Sequence, residues 1–425
     1  MEATESTPIT GEKVPRTPPT LTTEYLSLLK RFAIRFWVAV TLGVVLLTCG
    51  ELLSYWHYAA IPHDNLDPLV RMELSGGGAS EREYMKELGE AGTVAYYPYV
   101  LWRRAPYHGA MISIDQDGIR QTLHSQCDGK TFTIWMFGDS VIWGSGAADG
   151  ETIPSLLAAD YEKSGRKVCV VNYGEMGWAN TQEVIELIEL LKHASRKPEV
   201  VVFYDGGSEA FTALQGGRAD VHSNFNGFKK YLDEWSVEQR AGFSYLHRTN
   251  TYRLLQGIAS AVTPRGKKEK VRISEAEAEE LSDGVIQNYV QNMGIVDLLA
   301  KQYGFRPVFA WYPNIAVGHK QLTPHEQELQ RLEYQKFPGL DLIYGAAYAR
   351  SRELRLPNFY YLGDILDDQK SSLYLGVAHL KPEGYQIAAD ELYRILEHSP
   401  GATPVASSGD RSDGRGSRPL PSKGS

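Results

Sequence analysis

The segment Thr131-Phe132-Thr133-Ile134-Trp135-Met136-Phe137-Gly138-Asp139-Ser140 constrains the fold of this 425-residue chain more than any other. Its β-branched and aromatic residues predict a buried strand over 131–137. Gly138 permits a tight turn, and Gly144, Gly146 and Gly150 follow before a helix predicted from Ile153 to Tyr161. Such a unit lifts Ser140 off the end of a strand, near a helix N-terminus whose free N–H groups favour negative charge. A Gly-Asp-Ser tripeptide alone also occurs in ordinary turns, so its meaning depends on the rest of the chain.

Further segments repeat the pattern. Val168–Asn172 reads as a second strand, followed by Tyr173-Gly174-Glu175-Met176-Gly177, and Val200–Tyr204 as a third, followed by Asp205-Gly206-Gly207-Ser208-Glu209. Ser274-Glu275-Ala276-Glu277 has the form of a capping box and opens a long helix to about Tyr303. Pro307–Trp311 and Asn358–Leu362 supply strands four and five, and His379-Leu380-Lys381-Pro382-Glu383-Gly384 leads into a helix over Tyr385 to Leu396. Strands alternating with helices predict a doubly wound parallel sheet with helices on both faces. Ligands of such sheets bind at the carboxyl ends of the strands, where Ser140, Gly177, Ser208 and His379 all fall.

In order and spacing these blocks resemble the SGNH hydrolases, also called GDSL esterases, over roughly residues 95 to 396. The resemblance implies an α/β fold with a five-stranded parallel sheet in three α/β/α layers, SGNH- or flavodoxin-like. It also implies Ser140 as nucleophile, His379 as general base, and an oxyanion hole from Ser140, Gly177 and Ser208. Two positions depart from the family. Gly376 stands where an aspartate precedes the histidine by three residues, and Ser208 replaces an asparagine donor. Loss of a triad carboxylate costs about four orders of magnitude in rate. Asp364, Asp367 and Asp368 are the upstream carboxylates available to substitute. Asp117-Gly118-Ile119-Arg120 and Pro313-Asn314 also agree with one bacterial branch, without an assigned role.

Phe36–Leu53 is eighteen residues long with one charge, Glu51, enough to span a bilayer. Lys30, Arg31 and Arg35 precede it, and Arg71 is the first basic residue after it, so the N-terminus is expected in the cytoplasm and the remainder outside. An uncleaved signal anchor is favoured over a cleaved signal peptide, a core helix or a lipoprotein box at Cys49, because no small-residue cleavage site closes the run. The expected organisation is a disordered cytoplasmic tail (1–30), a transmembrane signal anchor (31–55), a linker or pre-domain segment (56–94), a hydrolase-like domain (95–398) with an insertion at 210–272, and a disordered tail (399–425).

The formal net charge of −8 argues against nucleic-acid binding, and the basic run Arg265–Lys270 reads as a solvated loop. Three cysteines make no disulfide framework; a Cys127–Cys169 bridge suits an oxidising compartment, but a buried free thiol is the expected state of Cys169. Eleven histidines form no ligand spacing, so no metal and no cofactor is expected. The insertion carries Phe225, Phe228, Tyr231, Trp235, Phe243, Tyr245 and Tyr252, expected to pack it against the domain, with a lid or sugar-stacking wall as the alternative. The expected function is an extracytoplasmic serine esterase removing an acyl group, acetyl by preference, from an envelope or exported glycan or a small ester. The alternatives are a catalytically impaired glycan-binding subunit of polysaccharide assembly and an SGNH-type O-acyltransferase.

Overall fold

A computed structural model describes residues 21–60, 79–233, 249–262 and 272–398. The expected terminal tails before 21 and after 398, the basic run 265–270, and Trp235, Phe243 and Tyr245 lie outside the described residues. The chain forms two compact units, one of 1–62 with 237–265 and one of 63–236 with 266–425. In the first, the described elements are two helices, Leu21–Ala60 and Asn250–Val262. The stretch Tyr25–Trp56 is long and apolar enough to cross a membrane, and its large side chains, Phe32, Trp37, Leu46 and Leu53 among them, are exposed.

The second unit is built on a five-stranded parallel sheet. Its strands are β5 (Phe132–Gly138), β6 (Val168–Asn172), β7 (Val200–Asp205), β8 (Arg306–Trp311) and β9 (Phe359–Tyr361), after two antiparallel hairpins β1–β2 (Val94–Tyr97, Leu101–Arg104) and β3–β4 (Tyr107–His108, Ser113–Ile114). The order β6-β5-β7-β8-β9 puts the reversal of direction between β5 and β7. That is the crevice where doubly wound sheets bind ligands.

The central strands β5, β7 and β8 bury both faces by alternation. Ile134, Met136, Val200, Val202, Val308 and Ala310 pack with Leu157, Tyr161, Tyr385 and Leu392 of helices Ile153–Lys163 and Pro382–His398. Trp135, Phe137, Val201, Phe203, Phe309 and Trp311 pack with Leu187, Tyr289, Val296 and Ile343 of helices Asn180–His193, Glu275–Tyr303 and Leu340–Glu353. Register stacks Phe137 on Phe203 and Phe203 on Phe309 with 5.2 Å between centroids in each pair. Offset aromatic pairs of this kind add about 0.5–1.5 kcal/mol each beyond their buried area.

The expected capping box is present: the Ser274 hydroxyl accepts from Glu277 N–H at 3.2 Å, and the Glu277 carboxylate accepts from Ser274 N–H at 2.8 Å. One expectation needs correction, and the segment before the domain gains detail. Cys169 is not a free thiol, because the loop before β5 lies alongside β6 and brings Cys127 to a Cα–Cα distance of 4.6 Å, where the two form a disulfide. The expected linker contains a helix, Ala79–Glu90, whose Tyr84 and Met85 form a core with Ile112, Ile114 and Trp143. Glu87 fixes it there by accepting the N–H groups of Ala110, Met111 and Ile112 at 2.8, 2.9 and 3.0 Å.

Candidate active site

Ser140 starts a one-turn helix, Ser140–Trp143, at the end of β5. A Cβ at Gly138 would meet the Tyr204 carbonyl oxygen and Ile142 Cγ1 at 2.7 Å, so only glycine lets the chain turn so close to β7. Asp139 caps the turn through Val141 N–H, accepted at 2.7 Å. Arg120, fully buried, holds the segment that follows. It donates to the carbonyls of Trp143, Gly144 and Ala147 at 3.0, 2.7 and 2.6 Å, pairs with Asp149 at 2.9 Å, and lies 4.3 Å above the Trp143 ring. This gives the Asp117–Arg120 motif a structural role that the sequence left open.

His379 arrives from the far end of the chain. Ser140 Oγ and His379 Nε2 are hydrogen-bonded at 2.8 Å across 239 positions of sequence. Its loop is closed by a bridge between Tyr374 and Leu380, and Leu375 N–H donates to the His379 carbonyl at 2.9 Å. A Cβ built on Gly376 would lie 3.5 Å from His379 Nδ1 with no other atom within 4 Å, and Gly376 is not in the left-handed region. The position therefore faces the imidazole nitrogen that a triad carboxylate holds. Two of the three upstream aspartates are engaged elsewhere: Asp364 pairs with Arg352, and Asp367 accepts the His319 backbone N–H at 2.8 Å.

The loop after β6 is docked on the nucleophile turn, since Glu175 N–H donates to the Gly138 carbonyl at 3.0 Å and the Asn172 amide donates to the Ile142 carbonyl at 3.0 Å. Gly177 has φ +80, lines the cavity with Ser140 and His379, and accepts the Ser223 hydroxyl on its carbonyl at 2.6 Å. Ser208 also lines the cavity, but its one hydroxyl proton goes to Asp139 Oδ2, and its backbone N–H donates to the Tyr312 hydroxyl at 3.1 Å. Tyr312 in turn donates to Asp139 Oδ2 at 2.5 Å. Asp139 is thus the hub of the serine turn, and the sequence reading passed over it. Its signal lay in the Gly-Asp-Ser triplet itself.

The cavity measures about 1150 Å³. Met85, Leu88, Met111 and Met176 form an apolar part of its wall, and Arg104, Lys336 and Lys381 supply cationic groups. Arg104 is paired with buried Glu175 at 3.2 Å; burial raises the Glu175 pKa and Arg104 opposes the rise.

Behind the site three buried carboxyls, Glu183, Asp205 and Glu209, have oxygens within 4.8 Å of one another. Burial first, and then Asp205, pushes Glu183 well above the usual carboxyl range; burial and Glu209 do the same to Asp205, and burial and Asp139 bring Glu209 to about 7. Asp205 Oδ2 accepts from Asn180 and Tyr289, each at 2.9 Å. Glu209 accepts the Gly206 and Asn180 N–H groups at 2.8 and 3.1 Å. The raised pKa values describe carboxyls that favour the protonated form, which lowers the charge buried in this cluster. Among the described residues, His319, Asp364 and Asp367 are the other group with metal-ligand spacing, and they lie at the surface with the pairings given above.

No protein-family model matches the sequence, and no curated protein is similar to it. Solved structures similar to it include a lipolytic G-D-S-L family protein from Veillonella parvula (15% identity, 63% of this chain and 97% of that one, TM-score 0.31). A lipase from a goat rumen metagenome (14%, 62% and 96%, TM-score 0.35) and an acetyl xylan esterase (12%, 61% and 98%, TM-score 0.30) are similar at the same level. The functional reading rests on the geometry of the site.

Proposed function

We propose that this protein is a membrane-anchored serine esterase acting outside the cytoplasm on an acylated glycan, with acetyl as the acyl group. The observation that carries the reading is the 2.8 Å hydrogen bond between Ser140 Oγ and His379 Nε2 at a cavity large enough for an ester. Ser140 Oγ attacks the ester carbonyl while His379 takes its proton, and the tetrahedral oxyanion is held by the N–H groups of Ser140 and Gly177. Collapse expels the alcohol, which receives the proton from His379. Water, deprotonated by the same imidazole, then releases the acid from the acyl-serine. An acceptor sugar in place of that water would make the protein an acyltransferase.

The Cys127–Cys169 disulfide supports the location, since such bonds persist in oxidising compartments. The basic residues before the apolar helix support a cytoplasmic N-terminus. Gly376 favours a second reading, a glycan-binding protein with a weakened triad. Fluorophosphonate labelling separates the two. An esterase is labelled at Ser140, and the Ser140→Ala variant loses both label and hydrolysis of an aryl acetate while keeping its unfolding profile. A folded wild type that is neither labelled nor active overturns the esterase reading.

A further inference from the structure

Glu51 is the one charged residue of the apolar run Phe36–Leu53. An ionisable side chain in hydrocarbon is costly unless it is partnered, and its partner then marks a function. Glu51 has four hydrogen bonds. Oε1 accepts the Asn250 backbone N–H at 2.7 Å and its side-chain amide at 3.0 Å, and Oε2 accepts the Thr251 N–H and hydroxyl at 2.9 Å each. Asn250 and Thr251 open the helix Asn250–Val262, so this carboxylate caps a second helix nearly 200 positions away. The first-turn N–H groups of a helix lack internal acceptors and sit at the positive end of its dipole, which is the environment a buried carboxylate needs.

The second helix does not have the outer face of a water-soluble one. Among its thirteen residues the single charge is Arg253. Leu255 and Ile258, three positions apart and so on one side, are 58% and 50% exposed. A helix in water turns its polar stripe outward. This one begins against a carboxylate that lies inside the Tyr25–Trp56 span, so its first turn is at the depth of that span. Lipid is then the solvent nearest its apolar face.

We propose that Asn250–Val262 is a second membrane-embedded element, docked on the spanning helix through Glu51, with Leu255 and Ile258 against the acyl chains of the bilayer. This rests on the reading of Tyr25–Trp56 as membrane-spanning. The anchor is therefore made of two segments, and Glu51 is the joint between them.

The test uses the full-length protein in nanodiscs with lipids carrying a spin label on the acyl chain. In a Cys49→Ser background, an environment-sensitive fluorophore is attached through Leu255→Cys or Ile258→Cys. Leu46→Cys serves as the control for the spanning helix, and Gln302→Cys, exposed on the second unit, as the water control. The proposal expects labels at 255, 258 and 46 to lose most of their emission to the spin-labelled lipid, and the label at 302 to keep it. Quenching at 46 without quenching at 255 and 258 overturns the proposal and leaves the spanning helix in place. An absence of quenching at all four positions overturns the spanning reading as well. Unquenched positions 255 and 258 that cross-link between chains on oxidation assign the face to a second copy of the protein and also overturn the proposal. With Glu51→Ala added, quenching at 255 is expected to fall while that at 46 persists. Unchanged quenching at 255 would refute the role of Glu51 as the joint.

Discussion

In the proposed esterase, Gly376 is the position that bears most directly on how His379 is oriented. The ideal Cβ at this position is 3.5 Å from His379 Nδ1, its surroundings are otherwise open, and the backbone does not need glycine. Gly376→Asp is therefore expected to fold normally and to raise kcat more than it lowers KM, because a carboxylate stabilises an imidazolium that forms only along the reaction path. The gain has an upper bound of roughly four orders of magnitude, the contribution of the aspartate in a complete triad. Steady-state kinetics on an aryl acetate measures it, and an unchanged kcat in an active enzyme would mean that another group already orients His379. Glu183 makes a second residue-scale prediction. A carboxyl whose pKa is raised by folding keeps its proton in the native state while the unfolded chain releases it, so stability falls as pH rises. For Glu209 that fall runs from about 4.5 to about 7, and Glu183 and Asp205 extend it upward. Glu183→Gln removes the titrating carboxyl and puts an uncharged amide in its place. Thermal unfolding from pH 5 to 8 is expected to show a shallower decline and a higher midpoint at pH 8 than wild type. A steeper decline would show that Glu183 is ionised in the native state.

At the scale of elements, Arg120 binds the segment Trp143–Asp149 through three carbonyls and Asp149, beside the bonds its backbone makes to Tyr84 and Met111. Truncation would leave Asp149, whose pKa burial already raises, without its countercharge. Removing one partner of a buried pair costs about 3–5 kcal/mol. Arg120→Ala is therefore expected to lower the urea midpoint strongly and to reduce fluorophosphonate labelling of the molecules still folded, because the same segment supports the serine turn. Loss of stability with full labelling of the folded fraction would confine Arg120 to a packing role. The strands were legible from sequence because β-branched and aromatic runs bounded by glycine have few other uses: Val168–Asn172 was bounded correctly, and β5, β7 and β8 differ by one residue at one end or both. The helix Ala79–Glu90 was not legible, since its polar and acidic residues carry little core pattern and Glu87 finds its acceptor role only when Ala110–Ile112 comes near.

At the scale of the whole molecule, the disulfide and the apolar helix make one prediction about location. A reporter fused after Leu396 is expected to be active only outside the cytoplasm, the chain is expected to resist carbonate extraction, and the Cys127–Cys169 pair is expected to be oxidised in cells by thiol-trapping. Cytoplasmic reporter activity with trapped free thiols would reverse the orientation and remove the glycan from the functional reading. By itself the sequence determined the class of the sheet, the order of its motifs, the apolar span and the positions of Ser140 and His379, because strand and helix periods, turn chemistry and hydropathy are local properties of consecutive residues. Only the tertiary structure decided that the Ser140 and His379 side chains meet, that Ser208 gives its proton to Asp139, that Cys127 is bonded to Cys169, and that Glu51 caps a helix beginning at Asn250. Each of these is a contact between residues 42 to 239 positions apart. Which polar groups pair over such separations depends on how the chain closes in space, and no local pattern encodes it.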